Sequence, residues 1–476
     1  MDDNLQHASL NEQIPPLRNL AWRAVSFLLF IVVAMSSASL AYAATYTVIN
    51  TNDTGEGSFR DAITDSESVA SPGLDTIEFD IPEGSCLPAG VCSIALATGL
   101  PGLDDGVIID GTTQPQYGTA PSNVCATATD PSYMRIQITA PQATNVLAIT
   151  DSVGSTIRGL SLGGQYLIAL KSDADHRVEC NHLGVNAEGT DGLDASIGVL
   201  IEQSGNGVII GTNGDGVGDI GERNVFGSLW PGGFGVYINS NNDNVVAGNY
   251  FGLGADGVTE IGIDRAILIR QSSSNNLIGT NVDGLSDEVE RNILGYAGRG
   301  LWLHTKLGLG DDNQIIGNWI GVDANGDPAG NTTGIDMSPQ GTIDVPLGMY
   351  HIQCNRIESN DSGIYVADES AFMSDSDQNS LVDNLIGLDH SGDQALVFES
   401  NWWGASDGPS GIGSGSGDSV QENSTGTLDY DPWRTTEVSV CVPEPSQALL
   451  SAIAIGVLAF LRSRNWPRSV QAVSLI

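Results

Sequence analysis

Basic residues are scarce in this chain. Of 476 residues, 18 are Lys or Arg against 58 Asp or Glu, a formal charge of −40 with His neutral. Only two are lysines, Lys171 and Lys306. A sequence-independent grip on DNA or RNA needs cationic side chains in excess, so nucleic acid is excluded as a partner. The same charge repels polyanions such as pectate or alginate unless cations bridge them. Charged residues total only 16% while hydrophobic ones reach 41%, which excludes an acidic disordered tail. Cys-x-x-Cys and Cys/His zinc spacings are missing. Helical periodicity is missing through the middle of the chain. No apolar run reaches the roughly 18 residues of a membrane span, and the two shorter runs lie at the ends.

Both end runs read as sorting segments. Residues 24–35 are apolar, stand behind Arg18 and Arg23, and are followed by Ala41-Tyr42-Ala43. That is the layout of a secretory signal peptide over residues 1–43, with signal peptidase as the processing partner. At the other end, Val442-Pro443-Glu444-Pro445 precedes an apolar stretch at 448–461, and Arg462 and Arg464 follow. Fourteen helical residues span about 21 Å, short of the roughly 30 Å hydrocarbon core, so this hydrophobic C-terminal helix touches the membrane without anchoring firmly. The order of motif, span and basic stop over 442–464 resembles the PEP-CTERM sorting signal. That resemblance implies an exosortase-type processing enzyme and delivery to the envelope, outer surface or extracellular matrix of a Gram-negative bacterium. Twelve residues beyond Arg464 depart from the usual ending.

Export permits disulfides among the six cysteines. Cys86 and Cys92 flank a Pro-Gly loop and are the preferred pair, with Cys125 the alternative partner. Cys180 and Cys354 each precede Asn in an apolar context, which points to buried free thiols.

What the chain has in abundance is glycine, 59 residues, and repetition. NHLGVNAEG at 181–189 recurs as NYFGLGADG at 249–257, NWIGVDANG at 318–326 and NLIGLDHSG at 384–392, at spacings of 68, 69 and 66. IGTN recurs at 210 and 278, and ERN at 222 and 290. Gly-x-aromatic-x recurs as GVYI at 235, GLWL at 300 and GIYV at 363. Strands this short cannot stand as isolated hairpins, so they must stack on copies of themselves. A parallel coil pairs each strand with its equivalent one turn later, about 4.8 Å away. Three coils of about 23 residues would make one unit. Alternation places Val236 and Ile238 inside and Tyr237 outside. Asn at repeated corners forms side-chain ladders, the motif copies at 181, 249, 318 and 384 standing above one another.

The motif set resembles bacterial right-handed parallel β-helix proteins of the pectin-lyase-like superfamily. Residues 58–62, SFRDA, resemble the core of a CSLREA-type N-terminal cap, although Gly57 stands where that motif has Cys. Asn401-Trp402-Trp403-Gly404, Asp407-Gly408-Pro409 and Asp431-Pro432-Trp433 resemble its closing coil. The expected fold is therefore an all-β, single-stranded right-handed parallel β-helix with a short N-terminal cap helix. Its parts are a cap at 44–85, repeats at 86–400, a closing coil and linker at 401–441, and the sorting segment at 442–476.

The resemblance implies either a non-enzymatic surface protein or a polysaccharide lyase, hydrolase or esterase. Gly310-Asp311-Asp312 resembles one piece of the polygalacturonase signature, making Asp311 and Asp312 the catalytic candidates, but the G-H-G and R-I-K pieces are absent. His176, His182, His304, His351 and His390 share no spacing that sets up a catalytic pair. Asn213, Asp215 and Asp219 match Asn281, Asp283 and Asp287 as N-x-D-G-x-x-D, alternate oxygens around a Gly turn that suit Ca²⁺. Asp323 with Asp327, and Asp389 with Asp393, add similar turns. Asn, Asp and Gly also simply build corners. Tyr237, Trp302 and Tyr365, together with Tyr250 and Trp319, are candidates for glycan stacking, in rows with copies about 14 Å apart. The leading expectation is a structural or adhesive role that binds extracellular polysaccharide or cations. The alternative is a carbohydrate-active enzyme.

Overall fold

The computed structural model describes residues 43–438, apart from short stretches at 69–72, 142–144, 151–153, 172–174, 203–205, 306–309, 339–347, 368–371, 374–375, 393–394 and 424–425. The signal peptide, the hydrophobic C-terminal helix and the sorting residues Pro443, Glu444, Pro445, Arg462 and Arg464 lie outside the described residues.

Short Val/Ile/Leu strands cannot bury both faces alone, and here each pairs in parallel with its equivalent one turn along. Among the described residues three long sheets result, with a two-stranded sheet of Leu396–Val397 and Leu428–Asp429 beside them. The first runs through eleven strands from Thr45–Val48 to Phe372–Met373. The second climbs from Cys92–Ala95 to Ser380–Val382, and the third from Asn145–Ile149 to Gly417–Glu422. Strand Leu160–Leu170 turns the corner between the second and third sheets and pairs in both. The chain is a parallel β-helix. Its interior is stacked columns: Val199, Val236, Ile267, Leu301, Ile335 and Ile364 lie directly above one another, all fully buried.

Each corner carries an asparagine ladder. Between the first and second sheets it runs Asn181, Asn224, Asn249, Asn292, Asn318, Asn355, Asn379 and Asn401. Asn249 is typical: its backbone N–H and Nδ2 both donate to Asn292 Oδ1 at 3.1 Å, and Nδ2 also reaches the carbonyls of Ile210 and Ala247. Asn244, Asn276 and Asn313 lead into the first sheet, and Asn331, Asn360 and Asn384 into the third. Buried amides that satisfy one another this way fix the corner and the register together.

The ladder corrects the coil count. From Asn181 to Asn224 is 43 residues, and from Asn224 to Asn249 is 25. Each unit is therefore two unequal coils rather than three equal ones, because the IGTN-to-ERN excursion inflates one of them. Equivalent residues stand about 10 Å apart, two strand spacings, not 14 Å. The fourth motif copy is also displaced. Asn384 belongs to the ladder entering the third sheet, one corner beyond Asn181, Asn249 and Asn318.

Helix α1 (Phe59–Ser66) closes the N-terminal end. Ser58 Oγ accepts from Asp61 N–H while Asp61 Oδ2 accepts from Gly57 N–H, a reciprocal cap. Phe59 and Ile63 are fully buried, and Phe59 meets Phe79 at 5.5 Å. Arg60 ties the helix to the preceding loop through the Asp53 carbonyl and to the next coil through the carbonyls of Thr98 and Gly99.

Cys86 pairs with Cys92, as expected. Cys180 is not a free thiol: it pairs with Cys125, pinning the loop before Ile136–Thr139 onto the second sheet. Cys354 is also disulfide-bonded. Both cysteines occupy the left-handed position just before a ladder Asn, with φ of 54° and 64°. That position points a side chain away from the core, toward whatever lies on the flank.

Candidate functional site

The candidate calcium loops are knitted to themselves. Asn213 Oδ1 accepts from Asp215 N–H, Asp215 Oδ1 from Val217 N–H and Asp219 Oδ2 from Gly216 N–H. Asn281, Asp283 and Asp287 repeat this with Asp283, Leu285 and Gly284 as donors. These oxygens point at backbone amides of their own turn. Asp323 Oδ1 likewise accepts from Asn325 and Asp327, and Asp393 is outside the described residues. Among the described residues no three His, Cys, Asp or Glu side chains come together as a metal-holding group.

Asp311 and Asp312 have different partners. Asp311 Oδ1 accepts from Met349 N–H at 2.8 Å and so holds the following coil. Asp312 is exposed, in a left-handed corner, and lies 3.5 Å from His351 Nε2.

The aromatic rows divide. In the second sheet one outward column reads His182, Val225, Tyr250, Ile293, Trp319 and Arg356. Here the repeat roofs itself. The turns at 186–191, 254–259 and 323–328 fold over this face and touch in sequence, Ala255 N–H donating to the Gly189 carbonyl and Ala324 N–H to that of Gly257. Gly257 has φ +74°, and a Cβ there would lie 2.6 Å from Ala324 Cβ and 2.8 Å from the Tyr250 ring. Only glycine fits. Arg223 stacks over Tyr250 at 4.1 Å, Arg291 over Trp319 at 4.5 Å and Arg356 over Trp319 at 5.0 Å. Glu222 and Glu290 cap the Asn213 and Asn281 amides. The ERN motif is thus wholly scaffold: Glu caps a loop, Arg covers a ring and Asn joins the ladder. A cavity of about 370 Å³ opens beside Trp319, between Arg291 and Arg356, but Arg356 is already held by Glu358 and the Gly326 carbonyl.

His182 heads this column and is fully buried. Its Nδ1 lies 2.7 Å from the Asn186 carbonyl and its Nε2 2.8 Å from Ser132 Oγ. Burial lowers its pKa to about 4, so it is neutral and Nε2 accepts the Ser132 proton.

The third sheet differs. One outward column reads Leu200, Tyr237, Leu268, Trp302, Asp336 and Tyr365, so the three expected rings do share a row. A second reads Ile197, Phe234, Arg265, Arg299 and Thr333. A third holds Glu202, Asn239, Arg270 and His304. Phe234, Tyr237, Leu268 and Trp302 form an apolar cluster of their own, separate from the interior.

Two of the five rings are covered. Trp302 is only 5% exposed and Tyr250 7%, because guanidiniums lie on them. Arg265 sits 5.1 Å from the Phe234 centroid and 5.2 Å from that of Trp302, with Arg299 4.6 Å from the latter. Arg299 pairs through Nε with Asp336 Oδ2, and Arg265 lies 3.7 Å from Asp264. Arg270 Nη1 donates to Tyr237 Oη at 3.0 Å and, among the described residues, has no carboxylate partner. Burial lowers the Arg265 pKa, with Asp264 opposing the shift. His304 stacks on Trp302 at 6.2 Å. The surface lays Arg265, Arg270 and Arg299 on or beside aromatic rings, with Arg265 and Arg299 also paired to Asp264 and Asp336.

Sequence reasoning missed Phe234, Arg265, Arg270, Arg299 and Asp336. The signal was DRAILIR at 264–270 and RGLWLH at 299–304. Aligning ILI on LWL puts Arg265 under Arg299, 34 residues away, which is half a repeat and visible only once a unit is two coils.

No protein-family model matches the sequence, and no curated protein does. Among solved structures the chain is similar to the mannuronan C-5 epimerase AlgE6 A-module of Azotobacter vinelandii, at 12% identity and a TM-score of 0.43, over 82% of this chain and 97% of that one. It is also similar to an alginate lyase from Paenibacillus sp. str. FPU-7, at 11% identity and a TM-score of 0.32, over 80% and 99%.

Proposed function

We propose that the protein is an exported β-helix that holds an acidic polysaccharide against the outer face of its third sheet. One observation carries this: in a chain of 18 basic and 58 acidic residues, Arg265, Arg270 and Arg299 gather over Phe234, Tyr237 and Trp302 on a single face. Guanidinium presents paired donors that match a carboxylate, and rings beneath hold it flat. The acid surplus elsewhere confines a polyanion to this patch. Signal-peptide export, exosortase-type processing of the tail and residence in the envelope or extracellular matrix belong to the same reading, and the role is structural or adhesive. Affinity electrophoresis tests it. A gel cast with polygalacturonate should retard the protein, and one cast with dextran should not. Arg265→Ala with Arg299→Ala should abolish the retardation, and equal mobility in all gels overturns the reading.

A second reading, a polyuronate-modifying enzyme, is favoured by the Arg270–Tyr237 hydrogen bond beside His304. A phenol held by a guanidinium can relay a proton next to a bound carboxylate. Unsaturated or reducing ends released from polyuronate, and lost in Tyr237→Phe, would support it.

A further inference from the structure

Asp336 is 3% exposed, and its two oxygens are used unequally. Oδ2 holds Arg299, whereas Oδ1 has no hydrogen-bond partner. It stands between Trp302 and Tyr365 in the outward column, where the other rungs carry Leu200, Tyr237 and Leu268. Nothing in the coil therefore requires a carboxylate there. A buried acceptor left idle is costly, and a donor brought by a ligand removes that cost.

We propose that Asp336 is a specificity residue: it accepts a sugar hydroxyl next to the carboxylate gripped by Arg265 and Arg299, so the ligand class is a hydroxyl-bearing polyuronate rather than any carboxylated polymer. This rests on the binding reading above. The ligand carboxylate competes with Asp336 for Arg299, whose side chain is 34% exposed, and draws the guanidinium outward. Asp336 beneath it then meets the hydroxyl. The face thus reads two groups, a negative charge through arginine and a neighbouring donor through aspartate.

The experiment compares affinities of the full chain for polygalacturonate and for polyacrylate of matched length and charge, which carries carboxylates but no hydroxyls. Wild type should prefer polygalacturonate by at least about tenfold, the worth of one hydrogen bond to a charged acceptor. Asp336→Leu should erase the preference while polyacrylate still binds. Asp336→Asn, which retains an acceptor oxygen without its charge, should keep a reduced preference of a few fold. If Asp336→Leu fails to fold, Asp336→Ala takes its place with the same expectation. Equal affinities in wild type, or a preference that survives loss of the acceptor, overturn the inference and leave the binding reading standing. Failure of wild type to bind either polymer overturns that reading and the inference with it.

Discussion

The second and third sheets both lay arginine over aromatic rings on their outer faces, yet the two faces differ in kind. On the second sheet the pairing recurs with the repeat, Arg223 on Tyr250 and Arg291 on Trp319, and stacked glycine turns cover it. On the third sheet the outward column follows the repeat through Leu200, Tyr237, Leu268 and Trp302 until Asp336 breaks it, while the inward column beside it stays Ile, Leu, Ile. What repeats is scaffold. What departs from the repeat, on a face where packing imposes no choice, is where the chain has room for function.

The comparison breaks if disturbing the second-sheet roof leaves stability intact, or if disturbing the third-sheet face unfolds the protein. The largest effect belongs to the staple under the roof. Cys180→Ser opens a link between residues 55 apart and should cost about 4 kcal/mol by the chain-entropy estimate, read as a shift in the urea midpoint. Asn249→Ala leaves the backbone N–H and Nδ2 of Asn224 without their shared acceptor and removes one donor each from the carbonyls of Ile210 and Ala247 and from Asn292 Oδ1, for a loss of about 3 kcal/mol. Gly257→Ala forces a Cβ against Ala324 and the Tyr250 ring at positive φ and should cost about 2 kcal/mol.

Asp418 offers a subtler handle, at the end of the third-sheet ladder. Its Oδ2 accepts from the backbone N–H and Nδ2 of Asn384, the place a further ladder Asn would take. Burial, against those hydrogen bonds, raises its pKa from 3.8 to about 6. The folded state then binds this proton more tightly than the unfolded chain, so stability falls as pH rises between about 4 and about 6. Asp418→Asn should raise the melting temperature at pH 8 and leave it unchanged at pH 4. A uniform shift at both would contradict the account. The smallest stability change, within about 1 kcal/mol in the same urea titration, is expected for Arg265→Ala alone, whose pair with Asp264 is partly exposed, and that change should weaken polysaccharide binding.

Much of the scaffold was legible in the chain. The copies of NxxGxxxxG announced stacked parallel coils, and the alternation of Val236, Tyr237 and Ile238 placed each side chain on its correct face. The short helix Phe59–Ser66 was legible too, in SFRDA. Three things were not. The coil count was hidden because loops of different length separate equivalent corners. The displacement of Asn384 was hidden because the same local motif serves two different corners. The pairing of Cys125 with Cys180 joins segments that no local pattern relates.

By itself the sequence determined the architecture, since short apolar strands punctuated by Asn and Gly can bury their faces only by stacking on their own copies. It also determined the charge that any partner meets. Which arginines gather on which ring was decided only in three dimensions. Apart from that of Arg299 with Trp302, these cation–ring contacts form across the strand stacking, between residues a coil apart in sequence. The idle oxygen of Asp336 belongs to the same level, because whether a buried carboxylate is satisfied depends on every neighbour that packing brings to it.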